Sequence, residues 1–223
     1  MADRRVEAVI FDLDGVLTDT AEYHYLAWQA IADEAGLTFD RRANEALRGL
    51  SREASLRAIL GDTELDAARF AELLERKNRR YLQLLASMGP DDLLEGAADL
   101  VAEVRRRGRL TAVGSSSRNA RMVLERLGIT DQFDAIADGD SAVAAKPDPG
   151  IFLAAAADLG VAPPRCVVVE DAASGVEAAH AGGMRAVGIG PADRVGDAEL
   201  RFERTADVDV DALLGCSGTP GRC

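Results

Sequence analysis

The chain has 223 residues, 48% of them apolar and 29% charged, an ordinary globular balance with room for one core domain and a smaller insertion. A formal net charge of −12 excludes the basic stripe of a nucleic-acid binder, and the apolar runs are too short to cross a bilayer. The three cysteines follow no zinc spacing, Cys166 reads as a small core residue, and Met1 to Arg5 lead into a strand without a hydrophobic leader. A cytoplasmic protein is therefore expected.

Ala8 to Phe11 is an unbroken apolar run, the pattern of a parallel strand buried on both faces. It stops at Asp12 and Asp14, two carboxylates one residue apart, followed by Gly15. Open parallel sheets bind ligands beyond the carboxyl ends of their strands. The pair is therefore either a turn with a solvated strand end or two acids delivered into a site.

Residues 19–86 read as helices throughout. Tyr25, Leu26, Trp28, Ala32 and Ala35 have helical spacing that ends at Gly36. A short helix is expected over Arg41 to Leu47, stopping at Gly49. Ser51 caps a third to Leu60, and a longer one spans about Leu65 to Leu85. This segment holds 10 Lys/Arg against 12 Asp/Glu, a net −2, while the remainder carries −10. It is the better place to grip an anion.

From Gly96 onward helix and strand alternate. Helices are expected at Gly96–Arg107, Asn119–Leu127, Ile151–Leu159 and Gly175–Ala181. The strands between them are Leu110–Val113, Ala135–Ala137, Val167–Val169 and Ala186–Ile189. Such alternation implies a parallel sheet with right-handed crossovers. Residues 215–223 have the composition of a disordered tail.

The strand ends carry polar groups. The second is followed by Ser115, Ser116, Ser117, Arg118 and Asn119, either a plain helix cap or a cradle of hydroxyls and N–H groups for a phosphate. Lys146 follows the third, between Ala145 and Pro147, and is either solvated or a point charge for a phosphoryl oxygen. Glu170 and Asp171 end the fourth, before a helix that begins near Ala173; Asp171 is a helix cap, or both acids suit a hard cation such as Mg²⁺. Together these make a phosphoryl-transfer set.

In order and strand position, Asp12-x-Asp14-Gly15-Val16, Ser115, Lys146-Pro147 and Glu170-Asp171 resemble the four motifs of the haloacid dehalogenase superfamily. Within it the chain is similar to the β-phosphoglucomutase family. That likeness rests on Thr18-Asp19-Thr20-Ala21-Glu22-Tyr23-His24, Arg48-Gly49-Leu50-Ser51-Arg52-Glu53, Arg76-Lys77-Asn78 and Ala145-Lys146-Pro147. It covers about residues 6–190.

The resemblance implies an α/β fold: a Rossmann-like parallel sheet core (1–18 and 87–214) with an inserted α-helical cap domain (19–86). Asp12 would be the phosphoryl-accepting nucleophile and Asp14 the general acid/base. Asp12, Glu170 and Asp171, with the backbone carbonyl of Asp14, would hold Mg²⁺. Ser115, Ser116, Ser117, Asn119 and Lys146 would surround the transferring phosphoryl group. In the cap, Arg52 would bind the second phosphate, with Arg48, Gly49, Ser51, Lys77 and Asn78 near it or the sugar. Thr20 and His24 would lie at the hinge and Trp28 near the sugar. On the residues alone, His24 is an ordinary helix residue and Trp28 a core residue. Arg48 stands where the family is expected to carry Lys, and Ser116 where it carries Ala. The implied substrate is a small sugar phosphate, handled by a monomer with no nucleic-acid or membrane partner. The implied reaction exchanges β-D-glucose 1-phosphate and β-D-glucose 6-phosphate. A sugar-phosphate phosphatase of the same superfamily is the alternative.

Overall fold

The computed structural model describes residues 5–48, 50–140 and 144–215. Gly49 and almost all of the expected tail lie outside these residues. Six strands form one parallel sheet in the order β3-β2-β1-β4-β5-β6. They are β1 (Ala8–Phe11), β2 (Leu110–Gly114), β3 (Ala135–Ala137), β4 (Cys166–Glu170), β5 (Arg185–Ile189) and β6 (Leu200–Phe202).

Alternate residues of the central strands serve opposite faces, as a period of two requires. Val9, Phe11, Val113, Val167 and Val169 enter one apolar cluster. Ala8, Ile10, Ala112, Val168 and Ala186 enter the other. Helices α5 (Ala97–Arg106), α6 (Ala120–Leu127), α7 (Gly150–Leu159), α8 (Ala173–Ala181), α9 (Ala192–Val195) and α10 (Val210–Leu214) occur between or after the strands. The first two and α10 feed the first cluster, whereas α7 and α8 feed the second.

Four helices stand between β1 and α5: α1 (Ala21–Ala35), α2 (Arg41–Glu45), α3 (Arg52–Leu60) and α4 (Ala67–Leu84). Of these, α1, α3 and α4 share a separate apolar cluster around Trp28, Ile31, Leu56, Leu60 and Leu73. Gly36 closes α1 in the left-handed region at φ +67°, a conformation that favours glycine. Ser51, as expected, caps α3 by accepting from the Ala54 N–H at 3.2 Å.

Several boundaries differ from the sequence reading. The second helix stops at Glu45 instead of Leu47. The last helix before the fifth strand starts at Ala173, where the acids before it place it, and not at Gly175, where its expected range opens. Cys166 opens β4 and is buried. The elements β6, α9 and α10 were not expected. At three to five residues each they are too short to display a period.

The register aligns the site. Phe11 pairs with both Val113 and Val169, so β1, β2 and β4 end level with one another. Strand order reverses on either side of β1, which makes its carboxyl end the switch point where an open sheet presents a crevice.

Candidate active site

Asp12 follows the last residue of β1, and its N–H donates to the Val169 carbonyl at 2.9 Å. Lys146 reaches the same place from the loop before α7. Its Nζ donates to Asp12 Oδ1 at 2.6 Å and to Glu170 Oε1 at 2.7 Å. The lysine side chain is 0% exposed. Burial pulls an ammonium pKa down, but Asp12 and Glu170 more than offset this and hold it above its ordinary range. The solvated alternative for this lysine is thereby excluded.

Glu170 also accepts the Ala172 N–H at 2.7 Å. Asp171 is not the helix cap, since Ala172 holds that position. Both acids have raised pKa values, first through desolvation. For Asp171 the neighbouring charges of Glu170 and Asp12 push further in the same direction. One ligand oxygen each from Asp12, Glu170 and Asp171 lies within 4.8 Å of the others. Three buried carboxylates against the Lys146 ammonium and one Arg48 guanidinium still form an excess of hard oxygen donors, and this donor set fits Mg²⁺. Gly15, at φ +84°, makes the close packing possible: a Cβ there would lie 2.1 Å from Asp171 Oδ2.

Asp14 has a different setting. Thr20 donates its hydroxyl to Asp14 Oδ1. Desolvation and the Asp12 charge raise its pKa to about 6, against the opposing pull of the Thr20 hydrogen bond, Lys146 and Lys77. A carboxyl group titrating there can both release and return a proton near neutrality.

Above these acids the cleft encloses about 260 Å³. On its cap side Lys77 is 2% exposed. Its Nζ lies 2.7 Å from His24 Nδ1, 4.9 Å from the Trp28 ring centroid and 4.6 Å from that of Tyr81. The 2.7 Å contact joins the Lys77 amine to the His24 imidazole. Desolvation lowers the pKa of both groups, and Arg52 reinforces the effect on Lys77. Arg52 is partly buried and makes no ion pair among the described residues. Desolvation and then Arg118 lower its pKa.

On the core side Ser115 Oγ accepts the Ser117 N–H at 3.2 Å, and Ser117 Oγ accepts the Asn119 N–H at the same distance. Asn119 caps α6 by position, without a side-chain cap bond. It donates to Asn78 Oδ1 at 2.9 Å, which ties α4 to the serine loop.

Of the residues expected here, Asp12, Asp14, Thr20, His24, Trp28, Arg48, Ser51, Arg52, Lys77, Ser115, Ser116, Ser117, Asn119 and Asp171 line the cleft. Glu170 and Lys146 lie beneath it as the partners of Asp12, and Asn78 stands behind Asn119. Trp28 is also a member of the cap's apolar cluster, so both of its readings describe the same ring. Arg48 has its guanidinium engaged by Glu45 and Asp171. Arg118 was missed. It lines the cleft and pairs with Glu53 at 3.0 Å, yet in the sequence it is one more charge after a serine run.

A model of the haloacid dehalogenase-like hydrolases matches residues 6–183. The chain is 45% identical over 212 residues to a β-phosphoglucomutase of Bacillus subtilis (strain 168), covering 93% of this chain and 94% of that protein. It is 36% identical to the fructose-1-phosphate phosphatase YqaB of Escherichia coli (strain K12), covering 83% and 97%. A crystal structure of β-phosphoglucomutase from Clostridium difficile superposes with a TM-score of 0.90 at 37% identity, covering 94% of this chain and 96% of that one.

Proposed function

Because the chain belongs to the haloacid dehalogenase-like hydrolase family, we propose that it catalyses the β-phosphoglucomutase reaction. That reaction exchanges β-D-glucose 1-phosphate and β-D-glucose 6-phosphate by way of β-glucose 1,6-bisphosphate. The Bacillus subtilis relative, named for this reaction, is similar over nearly its whole length.

One observation carries the choice of a mutase. Beyond the Lys146 and Ser115 end of the cleft stands Arg52, partly buried and without a carboxylate partner among the described residues. Arg118 already pairs with Glu53 and Asp140, which leaves the Arg52 guanidinium to take an anion here. A cleft with anion-binding groups at two places suits a sugar that carries two phosphates, whereas a phosphatase needs only one such place.

In this reading an Asp12 carboxylate oxygen attacks phosphorus, and the phosphorus–oxygen bond to the sugar breaks. The proton of Asp14 goes to the departing sugar oxygen. For the second transfer Asp14 takes the proton of the attacking sugar hydroxyl, and the bond from Asp12 to phosphorus breaks. Asp12, Glu170 and Asp171 would hold Mg²⁺, which when bound would supply neutralising charge for the transferring group. Lys146 adds a second positive charge and holds Asp12 in place. Residues 19–86 act as the cap that keeps water from the aspartyl-phosphate. Cytoplasmic residence and a monomeric state belong to the same proposal. The first is supported by the free, buried Cys166. No helix among the described residues is long and apolar enough to cross a membrane.

Incubation with β-glucose 1-phosphate, Mg²⁺ and a trace of the bisphosphate tests the reading. Glucose 6-phosphate is expected as the main product. Inorganic phosphate as the main product would overturn it in favour of a phosphatase, the activity named for the Escherichia coli relative.

A further inference from the structure

The turn after α2 sends one cation from the cap into the core's acidic cluster. Arg48 Nη1 donates to Asp171 Oδ2 at 2.9 Å, while Nε and Nη2 are held by Glu45 at 2.8 and 3.3 Å. The fork is thus aimed by its own cap segment. The side chains of Arg48 and Asp171 are 18% and 4% exposed, so the pair is shielded from solvent and salt. Among the described residues the other ion pair between cap and core, Arg118 with Glu53, is 49% and 48% exposed. Exposed pairs contribute little. Arg48–Asp171 is the electrostatic fastening between the two parts.

Asp171 is also one of the three carboxylates suited to a divalent cation. A cation placed among these acids lies within a few ångströms of the guanidinium, whichever Asp171 oxygen it takes. The sign of the interaction follows from Coulomb's law: two positive groups that share one carboxylate weaken each other's hold on it. Linkage makes the effect reciprocal, so the factor by which the cation loosens Arg48 is the factor by which Arg48 weakens the cation.

We propose that Arg48 and the divalent cation compete for Asp171, so that cation binding loosens the cap and Arg48 sets the cation affinity. A phosphorylated sugar brings negative charge into the same space and cancels the repulsion. The cap then closes over cation and substrate together but is released by the cation alone. The inference rests on the acidic cluster being a cation site and is independent of which sugar is turned over.

Mn²⁺ serves as the probe, with free ion counted by electron paramagnetic resonance and the cap followed by small-angle X-ray scattering. Arg48→Met is expected to bind Mn²⁺ about tenfold more tightly than the unsubstituted protein, within the usual span of coupling factors. Arg48→Lys keeps the charge and is expected to stay within about threefold of the original affinity. Mn²⁺ is expected to enlarge the radius of gyration of the unsubstituted protein and to leave that of Arg48→Met unchanged, while far-UV circular dichroism verifies that both variants are folded. Equal or weaker Mn²⁺ binding by Arg48→Met, or a radius indifferent to Mn²⁺ in the unsubstituted protein, overturns the latch and leaves the mutase reading standing. Absence of Mn²⁺ uptake by the unsubstituted protein overturns the acidic site and the latch together.

Discussion

Asp12 and Asp14 stand one residue apart and receive opposite treatment from their surroundings. Asp12 is bonded to the Lys146 ammonium at 2.6 Å, whereas Asp14 is desolvated beside the charge of Asp12 and titrates near 6. A folded-state pKa above the ordinary carboxylate value of 3.8 means that ionising Asp14 costs the native state free energy. The cost is absent below about pH 3.8, grows between pH 4 and 6 and is complete above that. Asparagine keeps the shape and the acceptor for Thr20 but carries no charge. Asp14→Asn is therefore expected to stabilise the metal-free protein by roughly 2–3 kcal/mol at pH 7.5, and by less than half as much at pH 4.5. Turnover should fall by about 10²-fold or more. Urea denaturation at the two pH values checks the first part, and a loss of stability at pH 7.5 contradicts it. The spacing of these two acids was legible in the sequence because the strand pattern aims both at one place. The burial of Lys146 was not, because it depends on β1, β4 and a loop meeting in space.

Helix α8 shows how a site distorts the signals of the element beside it. The helix begins at Ala173, near where the acids at the strand end place it, and Gly175, a poor helix former, sits inside its first turn. The reason is Glu170: a Cβ on Gly175 would lie 1.7 Å from its Oε1 and 2.0 Å from its Cδ. The carboxylate cannot move aside without losing Lys146 and the Ala172 N–H. Gly175→Ala improves helix propensity by about 1 kcal/mol, so far-UV circular dichroism should show the helix content intact. Divalent cation affinity is expected to fall about tenfold or more, since Glu170 is one of three ligands. Mn²⁺ binding at the original affinity would show that Glu170 is not held where the structure places it. Most other elements were legible from apolar runs that stop at glycine. Of those that were not, α10 carried a usable signal, since Asp209 caps it by accepting the Asp211 N–H at 2.9 Å.

At the scale of the molecule, a chain of net charge −12 concentrates three carboxylates in its interior and sets one buried ammonium among them. The sequence showed that charge was unevenly spread along the chain, but not that Lys146 would be wholly enclosed between Asp12 and Glu170. A buried ion pair adds little net stability when complete, yet removing one partner strands the other charge. Lys146→Met keeps the length and apolar stem of the side chain and removes the charge. In chelator-treated protein the variant leaves Asp12 and Glu170 repelling each other and is expected to lose about 3–5 kcal/mol. At roughly 2–4 °C per kcal/mol for a chain of this size, the melting midpoint should drop by about 10 °C. Excess Mg²⁺ supplies positive charge to the same acids and should recover most of that loss. The diagnostic quantity is the rise in midpoint on adding Mg²⁺, which should be several degrees larger for Lys146→Met than for the unsubstituted protein by scanning calorimetry. Equal rises would show that lysine and cation act on different groups. An unchanged midpoint in chelator would show that the interior tolerates its acids without the ammonium.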